Sequence, residues 1–153
     1  MYKKVFFITL IVLLGFLSIG ALFGGGALII SPDGELLKMP VSMLESSPFG
    51  NFFIPGLILF SVLGIAPGIL IYALIKKPQC KLCEILNFFK DMHWAWSYCI
   101  YIAFATIIWI LVQIYFIQAV VLAHIFYVIY GLLIIFIALL PSVRAAFMKE
   151  KVS

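Results

Sequence analysis

Two cysteines separated by two residues form the most recognisable chemical pattern in the chain, Cys80-Lys81-Leu82-Cys83. Such a CxxC pair can lower the pKa of a thiol and exchange between dithiol and disulfide. Zinc is a second possibility, with Cys80, Cys83 and His93 as three ligands and a fourth from Asp91, Glu84 or a second chain. The third interpretation, incidental cysteines at a membrane surface, is the one we favour, so we predict neither a metal nor a cofactor.

The rest of the sequence offers little for catalysis or ion transport. It has no HExxH motif, no glycine-rich phosphate loop and no recognisable Ser-His-Asp set. No Asp, Glu, Lys or Arg lies in the middle of an apolar segment, although such residues are the usual mark of proton relays and ion pathways. These absences argue against an enzyme and against an ion-coupled transporter.

The composition is that of a membrane protein. Of 153 residues, 66% are hydrophobic and 10% are charged, with a mean hydropathy of +1.27, whereas a soluble domain carries about 25% charge. Because about 20 apolar residues span a bilayer, we predict one all-α domain, a bundle of four transmembrane helices at residues 5–30, 52–75, 94–117 and 120–143. The first run is too long for a signal peptide. The third and fourth spans must be joined by a tight turn near Gln118–Ala119, because the apolar run is too long for one helix.

The segment Ser31–Pro55 is the longest stretch of mixed polarity, with three of the six acidic residues and four of the seven prolines. Ser31-Pro32-Asp33-Gly34 is a strong turn signal, and Pro40 can start a short helix over Val41–Glu45. We expect residues 31–51 to form an ordered outer loop that lies on the membrane surface or covers the helix ends. Three of its apolar side chains are expected to contact helices, lipid or a partner: Met39, Leu44 and Phe49.

The connector at residues 76–93 combines lysines with apolar residues at helical spacing, namely Leu82, Ile85, Leu86, Phe89 and Met92. This pattern is typical of an amphipathic helix lying in the membrane interface. Trp94, Trp96 and Tyr98 follow it and indicate an aromatic belt at the start of the third span.

Small residues recur at four-residue spacing in the first two spans, as Gly20 with Gly24 and Gly64 with Gly68. Such pairs let helices approach closely. Pro67 removes one helical hydrogen bond and predicts a bend. We expect Gly20 and Gly24 to pack beneath the outer loop, and Gly64 and Gly68 to accommodate another helix.

The last two spans carry few polar side chains, of which Gln113, Gln118 and His124 are conspicuous. The glutamines are expected to hydrogen-bond between helices, contributing about 0.6–2 kcal/mol each. His124 is expected to be a polar residue at a helix end. It lies near the membrane face opposite His93, so the two cannot ligate one haem.

Positive charge is distributed unevenly around the four spans. Nine of the ten basic residues fall at the termini and in the connector, and only Lys38 falls in the outer loop. By the positive-inside rule, both termini are cytoplasmic. The net charge of +4 therefore has a topological cause and does not indicate nucleic-acid binding.

The run from Ser31 to Leu57, which includes SPDGELLKMP and LESSPFGNFFIPGL, resembles a loop of small, uncharacterised bacterial membrane proteins with four spans. The stretch Leu139–Phe147, LLPSVRAAF, is similar to the ends of those proteins. The resemblance implies four helices and a bacterial inner membrane, and it assigns no catalytic residue.

The preferred functional hypothesis is a structural or accessory role without catalysis. In it, the glycine faces and the outer loop pack against membrane lipids, another membrane protein or a second copy of the chain. The alternative is binding or permeation of a small apolar or lipid-like molecule between the helices. A CxxC-dependent thiol redox enzyme is the third hypothesis.

The charge asymmetry predicts the orientation directly. A reporter that is active only in the cytoplasm should work when fused to the C-terminus, and one that is active only outside should work when inserted near Gly34. The reverse result at either site would overturn the predicted orientation.

Overall fold

The computed structural model describes residues 2–149, with side chains from residue 4 onward. Its helices are α1 (Tyr2–Ile30), α2 (Phe53–Lys76), α3 (Lys81–Ile85), α4 (Trp94–Ile117), α5 (Leu122–Leu139) and α6 (Pro141–Arg144). Within those residues, α1, α2, α4 and α5 are the helices long and apolar enough to cross a membrane. The predicted all-α fold with four membrane-spanning helices is therefore confirmed.

The four long helices form a bundle with two distinct ends. α1 packs along α2 and α4 packs along α5, while α2 also meets α4 and α1 meets α5. We call the end that carries residues 31–52 and the turn at 118–121 the loop end. The opposite end, the connector end, carries residues 77–93 and the segment that follows α5.

A continuous apolar core fills the half of the bundle nearest the connector end. All four long helices and the segment after α5 contribute to it, through Leu10, Leu14, Leu74, Cys99, Ala103, Ile134, Ala138 and Phe147 among others. Trp96 lies in this core, and its Nε1 donates to the Ala138 carbonyl at 2.8 Å. Trp94 is also buried and donates to the Pro78 carbonyl at 2.9 Å. Both indoles of the predicted aromatic belt are therefore held inside the protein, where carbonyls satisfy their N–H groups. The belt itself stays a prediction.

The helices α1 and α2 approach each other closely near the loop end. A Cβ at Gly25 would lie 2.6 Å from the Phe60 amide nitrogen, and one at Gly56 would lie 2.7 Å from the Leu28 Cβ. Glycine is required at both positions, because a side chain would collide with the facing helix. Neither residue belongs to the two glycine pairs that the sequence pattern singles out.

α2 is wound as a π-helix from Leu59 to Ile65, which ends two residues before Pro67. Pro67 lacks the N–H that a regular α-helical turn would use, and wider turns are a known way of accommodating such an interruption. The hydroxyl of Ser18 on α1 donates to the Gly64 carbonyl at 2.7 Å. The irregularity predicted at Pro67 thus takes the form of a wider helical stretch tied to the neighbouring helix.

The loop after α1 begins with the predicted turn. Gly34 has a φ of 78°, which glycine adopts without steric cost. The Asp33 carboxylate accepts hydrogen bonds from the Ser31 hydroxyl and the Glu35 amide. These bonds, the one from Ser31 first, lower the pKa of Asp33 below its ordinary value.

The rest of the loop folds back over the loop end of the bundle. The predicted helix at 41–45 is present as a 3₁₀ turn over Val41–Leu44. Leu44 is buried against Leu28 and Phe52. Phe49 packs edge-on to Phe116 of α4, with ring centroids 6.3 Å apart. The loop is therefore ordered and attached to two different helices.

The connector helix is much shorter than the sequence pattern predicts, since α3 covers only Lys81–Ile85. After it, the fully buried Asn87 amide donates to the Met92 carbonyl at 2.9 Å, and its oxygen accepts from the Ser97 hydroxyl at 2.6 Å. A buried amide that bonds to nearby backbone favours a turn over a continued helix. The apolar periodicity of residues 76–93 therefore overestimates the helix.

The turn between α4 and α5 lies at residues 118–121, as predicted, although no glycine or proline marks it. Gln118 has a φ of 54°, and its side-chain amide donates to the Tyr115 carbonyl. Gln118 thus stabilises its own turn, and the predicted interhelical hydrogen bond is not formed among the described residues.

The close contact between α1 and α2 predicts a difference between two alanine substitutions in one helix. Gly25→Ala should lower the free energy of unfolding by about 1–3 kcal/mol, because the methyl group overlaps the Phe60 backbone. Gly15→Ala is the matched control, since its Cβ would meet only the Ile71 Cδ1 at 3.8 Å. Unfolding in mild detergent measures both, and equal stability of the two variants would contradict the contact.

Candidate functional site

A cavity of about 400 Å³ lies between the four long helices in the half of the bundle nearest the loop end. Each long helix contributes to its wall, and Met39 and Met43 of the loop cover it. Small-molecule sites typically measure ~300–1,000 Å³ and are mostly apolar. Buried apolar side chains such as Leu17, Leu63 and Ile110 give this cavity the same character.

Short side chains on α1 leave the space open. Gly20, Ala21 and Gly24 all line the cavity. A Cβ at Gly20 would lie 3.6 Å from the Tyr127 hydroxyl oxygen, and one at Gly24 would lie 3.7 Å from the Leu59 Cδ2. These are ordinary contact distances, so the two glycines create room in the bundle, whereas Gly25 closes a helix contact.

Five polar side chains also line the cavity: Thr106, Trp109 and Gln113 on α4, and His124 and Tyr127 on α5. The Thr106 hydroxyl donates to the Ile102 carbonyl at 2.9 Å. In the described part of the chain, no fully buried side-chain nitrogen or oxygen lacks a hydrogen-bond partner. Polar atoms of the cavity wall that have no protein partner are therefore not fully buried.

The exposed residues of the cavity wall are Gly20 of α1, and Val121 and Ala123 at the start of α5. We infer that the cavity opens there, between α1 and α5. Closer to the connector end these two helices are joined, because the Tyr130 hydroxyl donates to the Leu13 carbonyl at 2.7 Å. The opening therefore lies on the side of the bundle, near the loop end.

The floor of the cavity is closed by the packed core. Leu14, Ala103 and Ile134 are fully buried in the half of the bundle nearest the connector end. Interiors packed in this way leave few voids larger than a water molecule. The cavity is thus a pocket with a side opening.

The predicted packing residues fall into three groups. Gly20, Gly24 and Met39 line the cavity. Gly64 and Gly68 face α1, where a Cβ would lie 2.9 Å from the Leu22 Cδ2 and 3.3 Å from the Ser18 Oγ respectively. The remaining three pack inside the chain: Pro67 is buried in α2, while Leu44 and Phe49 belong to the small core beneath the loop. Whether any of them contacts lipid or a partner stays a prediction.

The cysteine pair lies at the connector end, far from the cavity along the bundle. Cys80 and Cys83 are joined as a disulfide, with their Cα atoms 5.2 Å apart. Cys80 is the N-cap of α3, and its Sγ also accepts a hydrogen bond from the Cys83 amide at 3.2 Å. This disulfide has no link to the cavity.

His93, the third zinc candidate, caps α4. Its Nδ1 accepts from the Ala95 amide at 3.2 Å. Burial lowers the pKa of His93 and outweighs the hydrogen bonds and the Glu84 carboxylate that act to raise it. Among the described residues, no group of three His, Cys, Asp or Glu side chains is arranged to hold a metal ion.

The segment after α5 is fastened to the connector. The Phe147 carbonyl accepts from the His93 amide at 2.7 Å, and the Lys149 amide donates to the Asp91 carbonyl at 2.9 Å. The Lys149 ammonium also lies 2.8 Å from a Glu84 carboxylate oxygen. Although burial raises the pKa of Glu84, bonds from Lys149 and Asn87 hold it below its ordinary value.

Sequence reasoning missed Trp109 and Tyr127 as site residues and assigned Gln113 to a helix contact. Gln113 lines the cavity and forms no interhelical hydrogen bond in residues 2–149. The sequence did contain a pattern that could have located this wall of the cavity: Thr106, Trp109 and Gln113 follow one another at spacings of three and four residues. Such spacing places them on one face of α4.

The chain matches no protein-family model, and no curated protein or solved structure is significantly similar to it. The resemblance to small bacterial proteins with four spans therefore stays a prediction. The functional argument rests on the cavity itself.

The connector geometry predicts opposite results for two sets of substitutions. Replacing Cys80 and Cys83 together by serine should leave folding and any cellular phenotype intact, because Asn87 and Trp94 hold the connector without the sulfurs. Asn87→Ala should lower the stability by about 1–3 kcal/mol, since it leaves buried partners unsatisfied.

Unfolding in mild detergent compares the two proteins, and metal analysis accompanies it. Misfolding or loss of a phenotype in the double serine variant would refute incidental cysteines. So would stoichiometric zinc in the wild-type protein.

Proposed function

We propose that this protein binds a small apolar or lipid-like molecule in the cavity at the loop end. The observation that carries the proposal is an apolar cavity of about 400 Å³ between four helices, covered by an ordered loop. When an apolar cavity is empty, the atoms of its wall lack van der Waals contacts on the cavity side. An occupant therefore stabilises the folded protein, in proportion to its concentration and affinity.

Binding is favoured over permeation because the cavity ends at a packed core. The fully buried Leu14 and Ile134 belong to the core below it. A permeation route would need a second opening toward the connector end. The side opening near Gly20 and Ala123 supports entry of the molecule from the membrane interior.

We also propose the location of the site. The four apolar helices are consistent with a multi-pass membrane protein, and the excess of basic residues at the termini and connector favours a cytoplasmic position for both ends of the chain. In a bacterial inner membrane, the cavity then belongs to the outer leaflet. An accessory role, with packing against a partner membrane protein, stays a prediction from the sequence.

Filling the cavity tests the proposal. In Gly24→Leu, the new side chain fits at the backbone, because the nearest atom to its Cβ is 3.7 Å away, and it extends into the cavity. Gly26→Leu is the matched control: its Cβ also has its nearest contact at 3.7 Å, and it does not line the cavity. Native mass spectrometry and lipid analysis should find a bound molecule in the wild type and in Gly26→Leu, but not in Gly24→Leu.

Two results would contradict the proposal. One is a wild-type protein that retains no molecule after detergent exchange. The other is a Gly24→Leu protein that folds normally and retains the same molecule in the same amount.

A further inference from the structure

The cavity wall offers several hydrogen-bond donors that have no partner among the described residues. Trp109 and Gln113 on α4 face the same space as His124 and Tyr127 on α5. In residues 4–149, the Trp109 indole, the Gln113 amide and the Tyr127 hydroxyl form no side-chain hydrogen bond, so none of these polar atoms is fully buried. The Tyr127 oxygen is the atom nearest to a Cβ built at Gly20, which sets it at the cavity wall.

The local structure of α5 makes His124 a donor as well. Its Nδ1 accepts a hydrogen bond from the Val121 amide at 3.3 Å, as part of the capping of α5. In a neutral imidazole, a nitrogen that accepts leaves the proton on the other nitrogen. The Nε2 of His124 therefore carries the hydrogen. The Trp109 indole is likewise a donor only.

The described wall of the cavity carries no acidic or basic side chain that would match an ionic ligand. Among the described residues that line it, none is Asp, Glu, Lys or Arg. Burying an unpaired carboxylate or ammonium in such surroundings is strongly unfavourable. Neutral donors, in contrast, need only acceptor oxygens to be satisfied.

We infer that the ligand is a neutral lipophile whose apolar body carries a carbonyl oxygen, which accepts hydrogen bonds from the polar face formed by Trp109, Gln113, His124 and Tyr127. This inference rests on the proposed binding function and names its ligand class. The apolar body occupies the space beside Gly20 and Gly24, beneath Met39 and Met43. An ester lipid and a lipophilic ketone share this chemistry.

Competition between matched probes tests the ligand class. In this assay, the wild-type protein in mild detergent is incubated with radiolabelled methyl dodecanoate. Four unlabelled competitors are then compared: dodecane, dodecanoate, methyl dodecanoate and the methyl ketone of the same chain. The two neutral carbonyl compounds should compete about tenfold better than dodecane, as expected for one or two added hydrogen bonds. Whichever of these two compounds binds more tightly identifies the ligand as an ester lipid or as a lipophilic ketone.

Substitutions in the wall test the donors. Gln113→Leu and Tyr127→Phe should each weaken binding of the ester about 3–10-fold and leave binding of dodecane unchanged. Tyr115→Phe is the matched control, because Tyr115 is exposed on α4 and does not line the cavity. It should bind the ester as the wild type does.

The outcomes separate this inference from the proposed function. If dodecane competes as well as the ester, or dodecanoate competes best, the ligand class is wrong and the binding function stands. Unchanged ester binding in both wall variants also overturns the ligand class. If no probe binds the wild type better than the cavity-filled Gly24→Leu, the proposed function itself fails.

Discussion

The close approach of α1 and α2 at Gly25 and Gly56 is the contact on which the loop end of this bundle depends. The missing side chains let the Gly25 backbone lie directly against Phe60. Because the two helices meet so near the loop, the chain between them turns back over the bundle. Leu44 then packs against Leu28 and Phe52, and this return brings the loop methionines over the space between the helices.

The two halves of the bundle differ because their helix faces differ. Near the connector end, large side chains fill the space between the helices, with Trp96 and Phe147 among the most deeply buried. Near the loop end, α1 presents Gly20, Ala21 and Gly24. Among residues 4–149, no opposing side chain fills the volume that these residues leave. The same four helices therefore form a solid core at one end and a pocket with a polar face at the other.

Much of the fold is predictable from the sequence, because hydropathy, turn chemistry and helix length are local properties. The four spans, the turn at Gln118 and the short helix after Pro40 follow from them. The identity of the helix that a residue faces is not a local property. A glycine can allow close helix contact, as Gly25 does, or leave a cavity, as Gly24 does. Which of the two occurs depends on the facing helix. The length of the connector helix was overestimated because apolar spacing does not show what the polar Asn87 side chain bonds to, here the Met92 carbonyl and the Ser97 hydroxyl.

The most direct test of the central claim, a cavity occupied by a lipid-like molecule, is photo-crosslinking with diazirine-labelled methionine. Met39 and Met43 line the cavity, whereas Met148 is exposed at the connector end and reports contact with bulk lipid or detergent. The account predicts one defined adduct on the peptide that carries Met39 and Met43, distinct from the mixed adducts at Met148. The same mixture at both positions, or no adduct beneath the loop, would contradict it.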